Sequence, residues 1–99
     1  MLSEKEIMLI AQNFINKIEK RSKIETVLVK EAIIRKNYGI IFFYTSKKYY
    51  ESRNEKDNTL AGGGPFLIDN TTGEIIQFGS YYDENYYIKE YEAGRWPLK

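Results

Sequence analysis

The side chains available for chemistry in this chain are carboxylates, tyrosines, lysines, arginines and hydroxyls. Its 99 residues include no histidine and no cysteine. That removes the common acid–base switch, thiol nucleophiles, disulfides and thiolate zinc sites. Asp69 and Glu74 flank a turn and can face each other, but general acid–base work by a carboxylate pair needs a cleft that moves their pKa values apart. Gly62, Gly63 and Gly64 lack the Gly-Lys-Ser/Thr ending of a phosphate loop and lead into a strand, whereas phosphate cradles open a helix. Residues 69–74, Asp-Asn-Thr-Thr-Gly-Glu, share an Asp start and a glycine with a calcium loop, without its downstream bidentate glutamate or flanking helices. A turn accounts for both stretches, so no cofactor and no metal is expected. Lys47, Lys48, Tyr49, Tyr50 and Arg53 interleave cations with rings, the composition of a single-strand binding surface. One such cluster on a chain of net charge +1 neutralises few phosphates, and no nucleic-acid partner is expected.

The elements that must hold these residues are legible in the spacing. Ser3 and Glu6 stand as a capping box, with Leu2 and Ile7 in the positions of a hydrophobic staple. Ile7, Ile10, Ala11, Phe14, Ile15 and Ile18 then follow the spacing of one apolar helix stripe. Cations crowd the end near Arg21, where they complement the helix dipole. Residues 26–35 are β-branched and partly alternating, residues 36–39 make a turn, and the apolar run 40–44 reads as a central strand with both faces covered. Residues 46–50 continue extended or turn briefly, and residues 51–59 form an exposed polar loop.

A second hairpin occupies residues 66–78. Gly62, Gly64 and Pro65 set a tight entry, Asp69 starts the turn, and Gly73 suits the left-handed position of a glycine bulge. Positive φ is expected at Gly64 or Gly73. Ser80 or Asp83 can cap a last helix whose Tyr87, Ile88 and Tyr91 share a face, with Gly94 as its C′ residue. Its other face carries Glu84, Glu90 and Glu92 toward solvent, and Trp96 lays the tail on the surface. The whole of residues 1–99 therefore reads as one α+β domain: an N-terminal helix, an antiparallel sheet of about four strands in two hairpins, and a C-terminal helix.

Residues 1–50 hold 10 Lys/Arg against 5 Asp/Glu, and residues 51–99 hold 5 against 9, so charge is polarised from front to back. The start of the chain has no signal-peptide pattern, and no apolar run approaches the about 18 residues of a membrane span. With no cysteine, a soluble cytoplasmic protein is expected, without a membrane partner. Nine tyrosines exceed what a core of this size consumes, and tyrosine is an interface residue.

Tyr38-Gly39, Phe42-Phe43-Tyr44, Ser46-Lys47-Lys48-Tyr49, Leu60, Gly62, Gly64-Pro65, Asp69, Thr72-Gly73, Gly79, Tyr87-Ile88 and Tyr91-Glu92 together resemble the immunity protein 35 (YrhB-like) family. The most specific part is the order of aromatic strand, Ser-x-x-Tyr, Leu-x-Gly-x-Gly-Pro and Asp-x-x-Thr-Gly. The chain has Ile40 where that pattern has tryptophan, and Thr45 where it has an amide. The resemblance implies a small cytoplasmic α+β protein encoded beside a polymorphic toxin, which it neutralises by stoichiometric binding. Papain-like peptidases and deamidases are among the toxins associated with such families. The alternatives are a chaperone-like or general protein-interaction domain and, third, an enzyme.

For a binding protein, residue types place the expected interface on Tyr49, Tyr50, Arg53, Asn54, Glu55 and Asn58, with Glu84, Glu90 and Glu92 as a second, acidic patch. If the strand pattern persists through residues 49–50, one tyrosine of the pair points outward. Gly62, Gly64, Pro65, Asp69 and Gly73 are scaffold positions.

Overall fold

The computed structural model describes residues 1–54, 56 and 64–97. Helix α1 (Glu4–Ser22) opens with the expected capping box: Ser3 N–H donates to Glu6 Oε1 at 3.0 Å and Glu6 N–H to Ser3 Oγ at 3.1 Å. Ile7, Ala11, Ile15 and Ile18 are buried, with Ile10 and Phe14 half-buried beside them, so the apolar stripe is the core face. Lys23 ends the helix in a left-handed conformation with φ 61°.

The chain continues through β1 (Thr26–Leu28), a 3-10 turn (Lys30–Ala32), β2 (Ile34–Lys36), β3 (Gly39–Phe42) and β4 (Tyr44–Ser46). Helix α2 (Lys47–Ser52) follows, then β5 (Phe66–Asp69), β6 (Ile75–Gln77) and α3 (Glu84–Glu92). The fold is α+β. The strands make an antiparallel four-stranded sheet in the order β2-β3-β5-β6 and a separate pair, β1-β4. The second expected hairpin, β5-β6, and the turn end of the first, β2-β3, lie in the larger sheet.

Two boundaries differ from the sequence reading for one reason. Residues 26–35 are not a single strand. Leu28 pairs with Tyr44 while Ile34 pairs with Ile41, so three residues more than an unbroken ladder allows are looped out of one strand. That is the length of the Lys30–Ala32 turn. The ribbon breaks opposite it at Phe43, and β1-β4 forms its own small sheet.

β3 and β5 are the middle of the larger sheet, and strand alternation divides their side chains between two cores. Ile40, Phe42, Phe66 and Ile68 pack with Ile7, Ala11 and Ile15 of α1. Ile41, Leu67, Ile76 and Phe78 pack with Tyr87 and Ile88 of α3. All four residues of β3 are buried, as expected for a strand covered on both faces.

The β5-β6 turn is closed by Asp69. Its Oδ1 accepts from Thr71 N–H at 2.7 Å and from Thr72 N–H at 3.0 Å, and Gly73 follows with φ +77°. The turn also anchors the start of α1, since Leu2 N–H donates to Asn70 O at 2.7 Å. Gly64 adjoins the stretch outside the described residues. Its need for glycine is a close approach, because a Cβ there would collide with the Phe78 carbonyl oxygen and lie 2.8 Å from that of Gly79. Gly62 lies outside the described residues.

Gly73→Val should therefore destabilise by about 1–3 kcal/mol through backbone strain, lowering the melting midpoint by roughly 4–8 °C for each kcal/mol in a domain this size. Gly64→Val should also lower it, by steric displacement of the β6 end. Thermal melts of the two variants check this; an unchanged midpoint in either would remove that glycine from the scaffold.

Candidate functional site

The expected loop site is ordered differently from the sequence reading. Residues 47–52 are helical, not extended: Ser46 caps α2, accepting from Tyr49 N–H at 3.2 Å, and Arg53 closes it with φ 57°. Strand alternation therefore does not apply to Tyr49 and Tyr50, which are both half-buried. Tyr50 Oη donates to Glu31 Oε2 at 2.8 Å and Arg53 Nη2 to Glu31 Oε1 at 2.9 Å, with the guanidinium 4.8 Å from the Tyr50 ring centre. Glu31's own backbone N–H, Tyr50 and Arg53 together hold its carboxyl below the usual range. This cluster ties α2 to the 3-10 turn. Asn54 lies beyond it, its Oδ1 accepting from Lys56 N–H at 3.1 Å. Glu55 and Asn58 lie outside the described residues.

The acidic face of α3 is largely engaged within the chain, which corrects the expectation that it simply projects charge into solvent. Glu90 is paired with Arg95 at 2.5 Å, and its side chain is only 20% exposed. Glu92 accepts from Tyr38 Oη at 2.6 Å and lies 3.6 Å from Lys36 Nζ. Glu84 sits half-buried in the first helical turn, after the expected cap Asp83, whose Oδ1 accepts from Tyr86 N–H at 3.0 Å.

Three residues that the sequence reading did not assign form the most exposed aromatic surface. Tyr81 is 85% exposed, Tyr82 51% and Tyr86 40%. Their rings are stacked in series: Tyr81 to Tyr82 at 4.8 Å edge-on, Tyr82 to Tyr86 at 4.1 Å, and Tyr86 to Tyr87 at 5.3 Å, perpendicular. Tyr87 is buried and meets Trp96 at 4.9 Å. Tyr82 N–H is held by Tyr87 Oη at 3.4 Å. The patch is thus an outcrop of the core beneath α3, with loose ends fixed by ring contacts. Desolvation among these rings, with the Glu90 carboxylate nearby, holds the Tyr86 hydroxyl above its ordinary value.

A sequence signal existed. Tyr82 and Tyr86 are four apart across the Asp83 cap, and Tyr86 lies one position off the face shared by Tyr87, Ile88 and Tyr91. The sequence could not show that the bend after Gly79 would turn Tyr81 and Tyr82 outward.

Asp69 Oδ1 is taken up by the turn amides, so its carboxylate serves the scaffold. Among the described residues, no three acidic side chains gather as a metal site, and no helix is long and apolar enough to cross a membrane. The chain matches no family model, no curated protein and no solved structure.

The Tyr38–Glu92 pair gives this face a titration signature. Burial first, then the hydrogen bond to Glu92 and its charge, push the Tyr38 hydroxyl far above its ordinary value. An acid whose folded pKa is raised contributes stability that is complete below the unfolded value, about pH 10, and is lost as pH rises from there through the folded value. Glu92 has the opposite sign: Tyr38 holds its carboxyl low, and that contribution is lost as pH falls below the ordinary carboxylate range. In an ultraviolet tyrosinate titration, Tyr38 should be among the last to ionise, identified by difference against Tyr38→Phe. Glu92→Gln should bring it to lower pH. If Tyr38→Phe instead removes a group ionising near pH 10, the pairing is wrong.

Proposed function

We propose that this chain is an immunity protein, a cytoplasmic domain that neutralises a cognate protein toxin by binding it one to one, with Tyr81, Tyr82 and Tyr86 as the central anchor. The observation that carries the binding reading is this run of three exposed rings on a fixed helix entry. Tyrosine offers large amphipathic contact area with little side-chain entropy to lose, and aromatic anchors dominate measured hot spots. An exposed apolar cluster rimmed by polar groups is also what marks an interaction site on a small domain. Asp83 and Glu84 stand beside the rings, so the complementary partner surface is basic.

The toxin, and a papain-like peptidase or deamidase as its class, rest on the sequence resemblance. The places of several motif residues agree with a scaffold role: Gly64 and Pro65 lead into β5, Asp69 and Gly73 build its turn, and Tyr87 and Ile88 are core. Recognition then falls to residues outside the motif, as it must where related scaffolds meet different partners. The α2 surface at Tyr50 and Arg53 is the second contact region in this reading, preorganised by Glu31.

The deciding experiment pairs the chain with the product of its neighbouring gene. An immunity protein should form one saturable complex and restore growth on co-expression; suppressing aggregation of unrelated clients without such a complex would favour a chaperone-like domain. Truncating Tyr81, Tyr82 or Tyr86 to alanine should cost about 2 kcal/mol or more at the central position, roughly a 30-fold rise in Kd, with little change in melting midpoint. Replacing Glu84 by glutamine should act mainly on association rate and its salt dependence. Full affinity in the triple tyrosine variant would remove this patch from the interface.

A further inference from the structure

Among the described residues, strand β1 pairs along one edge only, with β4. Val29 N–H donates to Phe43 O and Lys47 N–H to Glu25 O, both at 2.8 Å, so residues 25, 27 and 29 bond to β4 while 26 and 28 direct their backbone groups away from it. Thr26 N–H is satisfied by Glu19 Oε1 at 2.9 Å. Leu28 N–H and C=O, with the Thr26 carbonyl, find no partner among the described residues. Alongside this edge lies a groove of about 500 Å³, walled by Met8 and Leu9 of α1 and by Val27 and Leu28, with Lys5 and Lys30 at its rim. Leu9 is 59% exposed, an apolar side chain outside the core stripe.

We propose that this groove binds an extended acidic segment of a partner polypeptide as an added strand on β1. An extended backbone supplies a carbonyl and an amide at the spacing that Leu28 requires, from alternate residues on one side. A helix cannot, because its own ladder consumes those groups. An apolar side chain of the segment lies against Met8 and Leu9. The charge of the segment follows from the rim: Lys5 and Lys30 take part in none of the ion pairs among the described residues, so carboxylates on the segment meet two free cations. The surface is separate from the tyrosine patch, and the proposal does not depend on the toxin reading.

The test uses the full chain and two fluorescein-labelled hexapeptides, one alternating valine with glutamate and one alternating valine with lysine. The valine–glutamate peptide should bind at least 10-fold more tightly than its lysine counterpart. It should also slow hydrogen exchange at the Leu28 amide at least 10-fold. Leu9→Glu and the double change Lys5→Glu, Lys30→Glu alter exposed positions, and each should weaken binding at least 10-fold while leaving the melting midpoint in place. The proposal is overturned if the lysine peptide binds equally well, if neither peptide binds at millimolar concentration, or if the bound peptide perturbs Tyr81, Tyr82 and Tyr86 instead of the groove. Slow exchange at Leu28 in the free chain would also overturn it, since the edge would already be covered by the chain's own residues or a second copy.

Discussion

The fold depends on the requirement that the three apolar side chains of β5 find cover. Phe66, Leu67 and Ile68 are consecutive and fully buried, so successive residues point into opposite faces of the sheet and each face needs its own lid. Phe66 fixes one side: Phe14 of α1 is 4.6 Å from its ring and Phe42 5.5 Å. Leu67 sends the demand the other way, where α3 answers with Tyr87 and Ile88. Neither helix is optional once this strand is central. Removing one would leave a large apolar sheet face in water, where burial is worth about 25 cal/mol per Å².

Much of the polar surface serves to orient the elements laid over this sandwich. Glu4 of α1 holds Arg35 of β2 through two hydrogen bonds, at 2.7 and 3.1 Å. Tyr38, in the β2-β3 turn, holds the far end of α3 through Glu92. Glu31 holds α2 through Tyr50 and Arg53. Exposed pairs of this kind add little to global stability. Their effect is to limit how the helices and turns slide over an apolar core that by itself has no strong orientational preference.

Features written in local chemistry were legible from the sequence: the Ser3–Glu6 box, the α1 stripe, the Asp69–Gly73 turn and the Asp83 cap. Each depends on residues within a few positions of one another. The three-residue offset at Lys30–Ala32 was not legible, because it depends on which residues of β3 and β4 pair across the ribbon. Helix α2 is too short for periodicity to declare itself, and its one signal, Ser46 before a polar run, is shared by many turns. Gly64 carries a clearance requirement that the sequence does not show, since the neighbouring carbonyls come from Phe78 and Gly79. Tyrosine was recognised as surplus to the core, but which tyrosines emerge is decided by how the chain leaves β6.

The tail has a further role. β6 is an outer strand, and Phe78 N–H donates to Pro65 O, so the pairing parity turns the Gln77 backbone outward. Trp96 Nε1 donates to the Gln77 carbonyl at 3.0 Å. An indole therefore occupies an acceptor that another chain would need in order to extend the sheet on that side. On the opposite border, β2 presents Arg35 and Lys36, cations that discourage the same event. The last residues of α3 and the turn after it thus act as a selvedge, finishing a woven edge so that it neither frays nor catches on its neighbours.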